Sequence, residues 1–409
     1  MTEYYPTQNK ERIISLDILR GFAILGILIM NIQSFSMIFA AYQNPLAYGD
    51  LNGANLLVWK LSHVFADQKF MTIFAILFGA GVLLMSQKME QKGLNFWPIH
   101  SRRMFWLILI GLLHGYFLWH GDILVNYGSI ALLVFVMRKK SVKTLLVLGI
   151  ALLTIPFLLN IMSGLTMKFW PEESVNIMAE QWFPSHETIN EEITAFTGSW
   201  WSSVSHRWSI VLMMQTFFLL FMGWRIFGLM LIGMALYKIG YLTAKLTFRK
   251  YLLIMLPCFA IGFTLIFIGI NKNFNDGWSP SYTRFFGLQY NYWGSILVSL
   301  GYISLIMMII KSGIFSRKWS ILAPIGQMAF SNYLLQTIIC TTIFYGYGYG
   351  NFGKFSRVEQ IIVVGCIWLF QIIFSKLWLK YFKYGPFEWL WRVLSYKKFL
   401  PIKRQIQNN

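Results

Sequence analysis

The chain has 409 residues, of which 56% are hydrophobic and 12% charged, and it carries a net charge of +19. Its apolar residues fall in runs of about twenty, each able to cross a bilayer core of about 30 Å as a helix, which excludes a simple soluble domain. The Lys and Arg residues sit between those runs and in the tail, as in loops facing an anionic leaflet, and no nucleic-acid partner is expected.

An all-α, polytopic helical membrane protein follows. Ten membrane helices are expected, in apolar runs at about 18–40, 56–86, 103–119, 121–137, 143–162, 206–239, 250–271, 290–311, 321–345 and 358–380. With the N-terminus in the cytoplasm, the inward segments hold Lys88, Lys92, Arg102 and Arg103; Arg138, Lys139, Lys140 and Lys143; Lys245, Arg249 and Lys250; Lys311, Arg317 and Lys318; and the stretch from Lys376 to Arg404. The outward segments are neutral or acidic, above all the loop 163–205 with Glu172, Glu173, Glu180, Glu187, Glu191 and Glu192. That alternation places both termini in the cytoplasm. Residues 1–12 are polar, so no cleaved signal peptide is expected. Cys258, Cys340 and Cys366 lie inside apolar runs without ligand-like neighbours, and neither a disulfide framework nor a metal site is expected.

In helix one, Ser15 is a candidate N-cap, and Asp17 and Arg20 stand three apart on one face. They form either an ion pair that locks the helix end or a phosphate contact at the cytoplasmic mouth. In the second run, His63 and Asp67 lie one turn apart and Lys69 follows, ahead of the glycine-rich segment ending at Gly81. A carboxylate one turn from a histidine suits a general base, and ordinary interhelical bonding explains the pair equally well. The glycines permit close helix packing in lipid.

The stretch 111–128 joins two apolar runs with almost no linker and sets His114, His120 and Asp122 where hydrocarbon meets water. Ionisable groups at that depth mark a functional site by default. Arg103 and His114 are 11 residues apart, so they share a helix face about 16 Å apart along the axis. Asp122 begins the next helix, where it caps amides, orients His114, or does both. The 34-residue run 206–239 carries Arg225 near its middle and is expected as a single long helix, bent near Gly223. Asn332 and Gln336 lie one turn apart in the ninth run, bonding a neighbouring helix or walling a substrate cavity. Residues 385–409, with Trp389 and Trp391, read as an interfacial anchor.

The chain resembles the YeiB-like bacterial membrane proteins, whose C-terminal part is known as domain of unknown function 418. The matching stretches are Leu16 to Leu28 followed by Asn31, Lys69 to Gly81, Arg102-Arg103 leading to Gly111-Leu-Leu-His114, Gly121 to Leu124 with Tyr127, Gly228 to Tyr237, and Gly326 to Gln336. That family is related to the transmembrane acyltransferase superfamily. The resemblance implies a bacterial cytoplasmic-membrane enzyme that takes an acyl group from a cytoplasmic thioester such as acetyl-CoA to an acceptor on the outer side. The runs and charges divide the chain into an N-terminal bundle of five helices with the acidic outward loop 163–205 (1–205), a C-terminal membrane region resembling domain of unknown function 418 (206–395) and a basic cytoplasmic tail (396–409). The loop 41–55 holds no histidine, although the better-understood acetyltransferases are thought to use one there, so His63 or His114 takes the role of base.

On this reading His114, Asp122, His63 and Asp67 are the candidate catalytic groups, and Arg20, Arg102 and Arg103 hold the donor phosphates. Asp17, Lys69, His120, Tyr127, Arg225, Asn332 and Gln336 line a substrate cavity. Acyl-CoA is a co-substrate and no tightly bound cofactor is expected. The partners are membrane lipids and an envelope sugar, polyol phosphate or lipid acceptor. The competing reading is a transporter or lipid-handling protein, in which Arg20, Arg225, His63 and His114 form a substrate or proton pathway.

Overall fold

The computed structural model describes residues 12–313 and 321–404. Residues 1–11, Arg317, Lys318 and the tail beyond Arg404 lie outside the described residues. The described chain is built of helices, apart from an isolated bridge between Phe382 and Lys403.

In chain order the helices are α1 Ile14–Ser36, α2 Phe39–Gln43, α3 Gly53–Phe65, α4 Lys69–Gln91, α5 Trp97–Phe117, α6 Leu124–Val136 and α7 Val142–Thr166. Then come α8 Glu172–Trp182, α9 His186–Thr197, α10 Trp200–Phe217, α11 Gly223–Lys238, α12 Phe248–Asn275 and α13 Leu288–Ser312. The last four are α14 Leu322–Gln327, α15 Ala329–Phe344, α16 Arg357–Tyr381 and α17 Pro386–Tyr396. Six helical stretches, 14–36, 53–91, 142–169, 248–275, 280–312 and 357–381, are long and apolar enough to cross a membrane.

Helix starts follow local chemistry. Ser141, Ser185, Ser199, Thr247 and Ser356 each present a side-chain oxygen to a backbone N–H one turn on, and Ser356 forms a reciprocal capping box with Glu359. Three expectations are refined. The run 321–345 is two helices, Leu322–Gln327 and Ala329–Phe344, which part at Met328. The run 56–86 is two helices, because the chain breaks at 66–68, where Gln68 takes a left-handed conformation (φ 64°). The run 206–239 is one helical path through a π-turn at Phe218–Met222, immediately before Gly223. The π-turn inserts an extra residue without breaking the helix.

Burial divides the long helices into two groups. The most apolar window of α1 is 72% buried, whereas those of α7 and α16 are each 22% buried and that of α12 is 28%. Exposed Leu148, Leu158, Leu253, Phe267, Leu369 and Leu377 therefore belong to the lipid-facing surface. The inner helices approach to backbone contact through glycine. A Cβ on Gly79 would lie 2.0 Å from the Met230 carbonyl oxygen, and one on Gly326 would lie 1.9 Å from that of Asp17. In lipid, such close approach is a main source of helix association.

At one end of the bundle α17 packs on α5 and α15. The Trp391 indole donates to the Arg103 carbonyl at 2.8 Å, and Glu388 accepts from the backbone N–H of Phe330 and Ser331 at the start of α15. At the other end, α8 packs on α2 and α9 on α10. Phe39 N–H donates to Glu192, and the Arg357 guanidinium gathers the carbonyls of Pro45, Tyr48 and Asp50.

Candidate active site

The stretch 111–128 brings His114 and Asp122 together and adds one partner that local sequence does not show. His114, in the last turn of α5, places Nδ1 2.8 Å from Asp122 Oδ1 across the short connection to α6. The other Asp122 oxygen accepts from the Val125 amide at 3.0 Å, so this carboxylate both caps α6 and orients the imidazole. His114 Nε2 lies 2.9 Å from Thr337 Oγ1 on α15. With the Nδ1 proton given to Asp122, Nε2 is the acceptor and the Thr337 hydroxyl donates to it. His114, Asp122 and Thr337 are 2%, 6% and 1% exposed. The ring is packed against Tyr333 and Trp119, the latter stacked on Phe35 at 4.0 Å. A buried carboxylate–imidazole–hydroxyl relay can take a proton from an O–H and return it to a leaving group.

His63 and Asp67 also meet, at 3.1 Å, but in a different setting. They straddle the α3/α4 break. Asn291 donates to Asp67 at 2.7 Å, and the Lys69 ammonium donates to the His63 carbonyl at 2.6 Å and to Asn291 Oδ1 at 2.8 Å. Trp59 stacks on the His63 ring. Arg225 bonds Gln68 and reaches Thr72 at 3.2 Å and Ser295 at 3.0 Å, with its guanidinium over Tyr292. Every group here has a protein partner, and the network ties α4, α11 and α13 around the break.

The arginines occupy the opposite end of α1 and α5. Arg20 pairs with Asp17 at 2.8 Å, and Arg12 approaches the same carboxylate at 3.5 Å. Burial lowers the Arg12 pKa, and Asp17, Arg392 and Arg20 all lie close enough to act on its charge. Arg103 stacks on Trp391 at 4.0 Å, so it also seats α17. Arg102 Nε is buried with no hydrogen-bond partner. Ser15 is not the cap of α1; its hydroxyl donates to the Leu242 carbonyl.

The remaining candidates sit in contacts between helices. Tyr127 donates to the Met71 carbonyl at 3.1 Å. Asn332 bonds Ser375 and the Ile325 carbonyl, and Gln336 bonds Gln371 and the Ile24 carbonyl, so these amides tie α15 to α16 and α1. His120 Nε2 lies 3.0 Å from Ser34. Thr337, Asn291, Tyr333 and Arg207 escaped the sequence reading. Thr337 meets its partner 223 residues away and Asn291 meets Asp67 across 224, separations that no helical period reveals.

Comparison with known proteins gives a consistent answer. Residues 236–398 match a family described as "Protein of unknown function (DUF418)". The chain is 34% identical over 392 residues to "Uncharacterized protein YeiB" of Escherichia coli (strain K12), covering 94% of this chain and 96% of that one. It is 29% identical over 420 residues to "Uncharacterized protein YxaH" of Bacillus subtilis (strain 168), covering 99% of each.

Proposed function

The chain belongs to the YeiB-like DUF418 family of helical membrane proteins, and from that membership and the geometry above we propose a membrane-embedded acyltransferase of the bacterial cytoplasmic membrane. It takes an acyl group from a cytoplasmic acyl-CoA to a cell-envelope acceptor on the outer face. The observation that carries this reading is the His114–Asp122–Thr337 relay. Nε2 stands where an acceptor hydroxyl can take the place of the Thr337 hydroxyl. The base removes the O–H proton as the oxygen attacks the thioester carbonyl, and the imidazolium returns it to the departing thiolate. Arg12, Arg20, Arg103 and Arg392 share the opposite end with Asp17, a charge balance suited to the phosphates of the donor.

Calorimetric titration of acetyl-CoA and longer acyl-CoAs into the detergent-purified protein tests the reading. Saturable binding that is lost in Arg20→Gln/Arg103→Gln and kept in His114→Ala is expected. Absence of binding at every chain length removes the donor, and with it the proposal.

The second reading, a transporter, draws on the α3/α4 break, where charged groups gather at an interruption within a long apolar stretch. It predicts substrate flux that depends on Asp67 and Arg225 and is indifferent to His114.

A further inference from the structure

Beneath α9, at the same end of the bundle as His114, lies a second polar cluster that the proton relay does not use. Arg207, two turns into α10, is fully buried, and among the described residues no carboxylate comes within ion-pair distance of it. Its Nη1 reaches only the Tyr116 carbonyl, at 3.4 Å. Nε and Nη2, the two nitrogens that form the side-on fork of a guanidinium, have no hydrogen-bond partner.

Other unmet groups surround it. The Phe196 ring is the shared neighbour, with its centroid 6.0 Å from the Arg207 guanidinium carbon, 4.9 Å from the Tyr345 ring and 6.3 Å from that of His120. Tyr345 Oη and His120 Nδ1 are themselves buried and unpartnered. His120 Nε2 lies 3.0 Å from Ser34 Oγ; in the tautomer in which Ser34 donates, Nδ1 carries the proton and is a donor. Glu192 lies close enough to act on the Tyr345 hydroxyl, but neither it nor Glu191 pairs with Arg207. Glu192 accepts from the Phe39 amide, and Glu191 acts on His206.

A buried cation without a counter-charge is strongly unfavourable, and such a group is retained where something pairs with it. We propose that Arg207, Tyr345 and His120 form an outer-face binding site for a tetrahedral phosphate-type anion, borne by a soluble phosphate ester or by a lipid headgroup. The open fork takes two oxygens of the anion in parallel N–H···O bonds. The hydroxyl and the imidazole, from two further elements, supply donors for a third oxygen, more directions than the two oxygens of a carboxylate require. Trp119 packs between His120 and His114, so the anion site and the proton relay are separated by one aromatic side chain. Entry requires α9 to lift, because the Gly346 amide donates to the Phe196 carbonyl at 2.8 Å and closes that side. The site binds its anion whether or not acyl transfer follows.

The test is binding to the full-length protein purified in a neutral detergent. Inorganic phosphate and glycerol 3-phosphate are titrated by calorimetry, with acetate as the carboxylate control. Retained phosphatidylglycerol against added phosphatidylcholine is read by native mass spectrometry. Wild type is expected to bind a soluble phosphate saturably, to retain the anionic lipid, or both, and the pattern tells the ester from the headgroup. Affinity should fall about a hundredfold in Arg207→Gln and about tenfold in Tyr345→Phe. Failure of wild type to hold either source overturns the site, as does equal binding of acetate or unchanged affinity in the variants. Should Arg207→Gln not accumulate, Tyr345→Phe decides alone.

Discussion

Among the described residues, two histidine–aspartate pairs of similar length stand in opposite circumstances. At the α3/α4 break Asp67 is shared among His63 and Asn291, with Lys69 and Arg225 close by, and it holds interrupted backbone together. At the α5–α6 turn Asp122 serves only a backbone amide and His114, and the far nitrogen of that ring faces a hydroxyl. A pair saturated by cations and amides stabilises a fold, whereas a pair whose imidazole still meets an O–H can move a proton. Spacing in sequence does not distinguish them; the third partner does.

That contrast breaks most clearly under substitution. His114→Gln, which keeps a hydrogen-bonding group against Asp122, should lower acyl transfer by a factor of about 10² to 10⁴, the range for loss of a general base, and leave the midpoint of thermal unfolding within a few degrees. Asp67→Ala should do the reverse. It leaves the Lys69 and Arg225 charges uncompensated, a loss of about 3–5 kcal/mol where one partner of a buried pair is removed, measured as a fall in the detergent unfolding midpoint. If His63→Ala abolished transfer and His114→Ala did not, the assignment of the two pairs would be inverted. Between these extremes lies Asp122→Asn. The amide oxygen can still accept from Val125, so stability should fall by about 1 kcal/mol or less, while transfer drops through the misoriented imidazole.

Much of the fold was legible in the sequence. Apolar runs of bilayer length located helices, and the pairs His63–Asp67 and Asp17–Arg20 follow from helical spacing. The glycines ahead of residue 81 announced close packing, which Gly79 realises against the Met230 backbone. The α3/α4 break was not legible, because Ala66, Asp67 and Gln68 include no glycine or proline to announce it. Nor were Thr337 and Asn291, whose roles arise only when α15 and α13 pack against distant helices. Arg103 shows the opposite case, a residue whose position on α5 is plain from the sequence but whose guanidinium is stacked on Trp391 of the terminal helix. Trp391→Ala should therefore loosen α17 and weaken acyl-CoA binding severalfold, by less than loss of the arginines themselves, as calorimetry would show.

The smallest expected effect is one of pH. Burial pushes the Glu192 carboxyl up from 4.5 to about 7, against the opposing pull of the Phe39 amide. Its protonated form is favoured by the docked state, so its contribution is complete below about pH 4.5 and is lost as pH rises through about 7. Hydrogen–deuterium exchange of α9 should accelerate over that window in wild type and show a flatter profile in Glu192→Gln. An identical profile in both would assign the pH response to another group.

The most direct measurement is transfer of labelled acetyl from acetyl-CoA to envelope lipid and glycan fractions in membranes bearing wild type, His114→Ala or Asp67→Asn, at matched protein levels. The account predicts label in wild type, reduced label in Asp67→Asn in proportion to folded protein, and background in His114→Ala. Wild-type label retained by His114→Ala would contradict it.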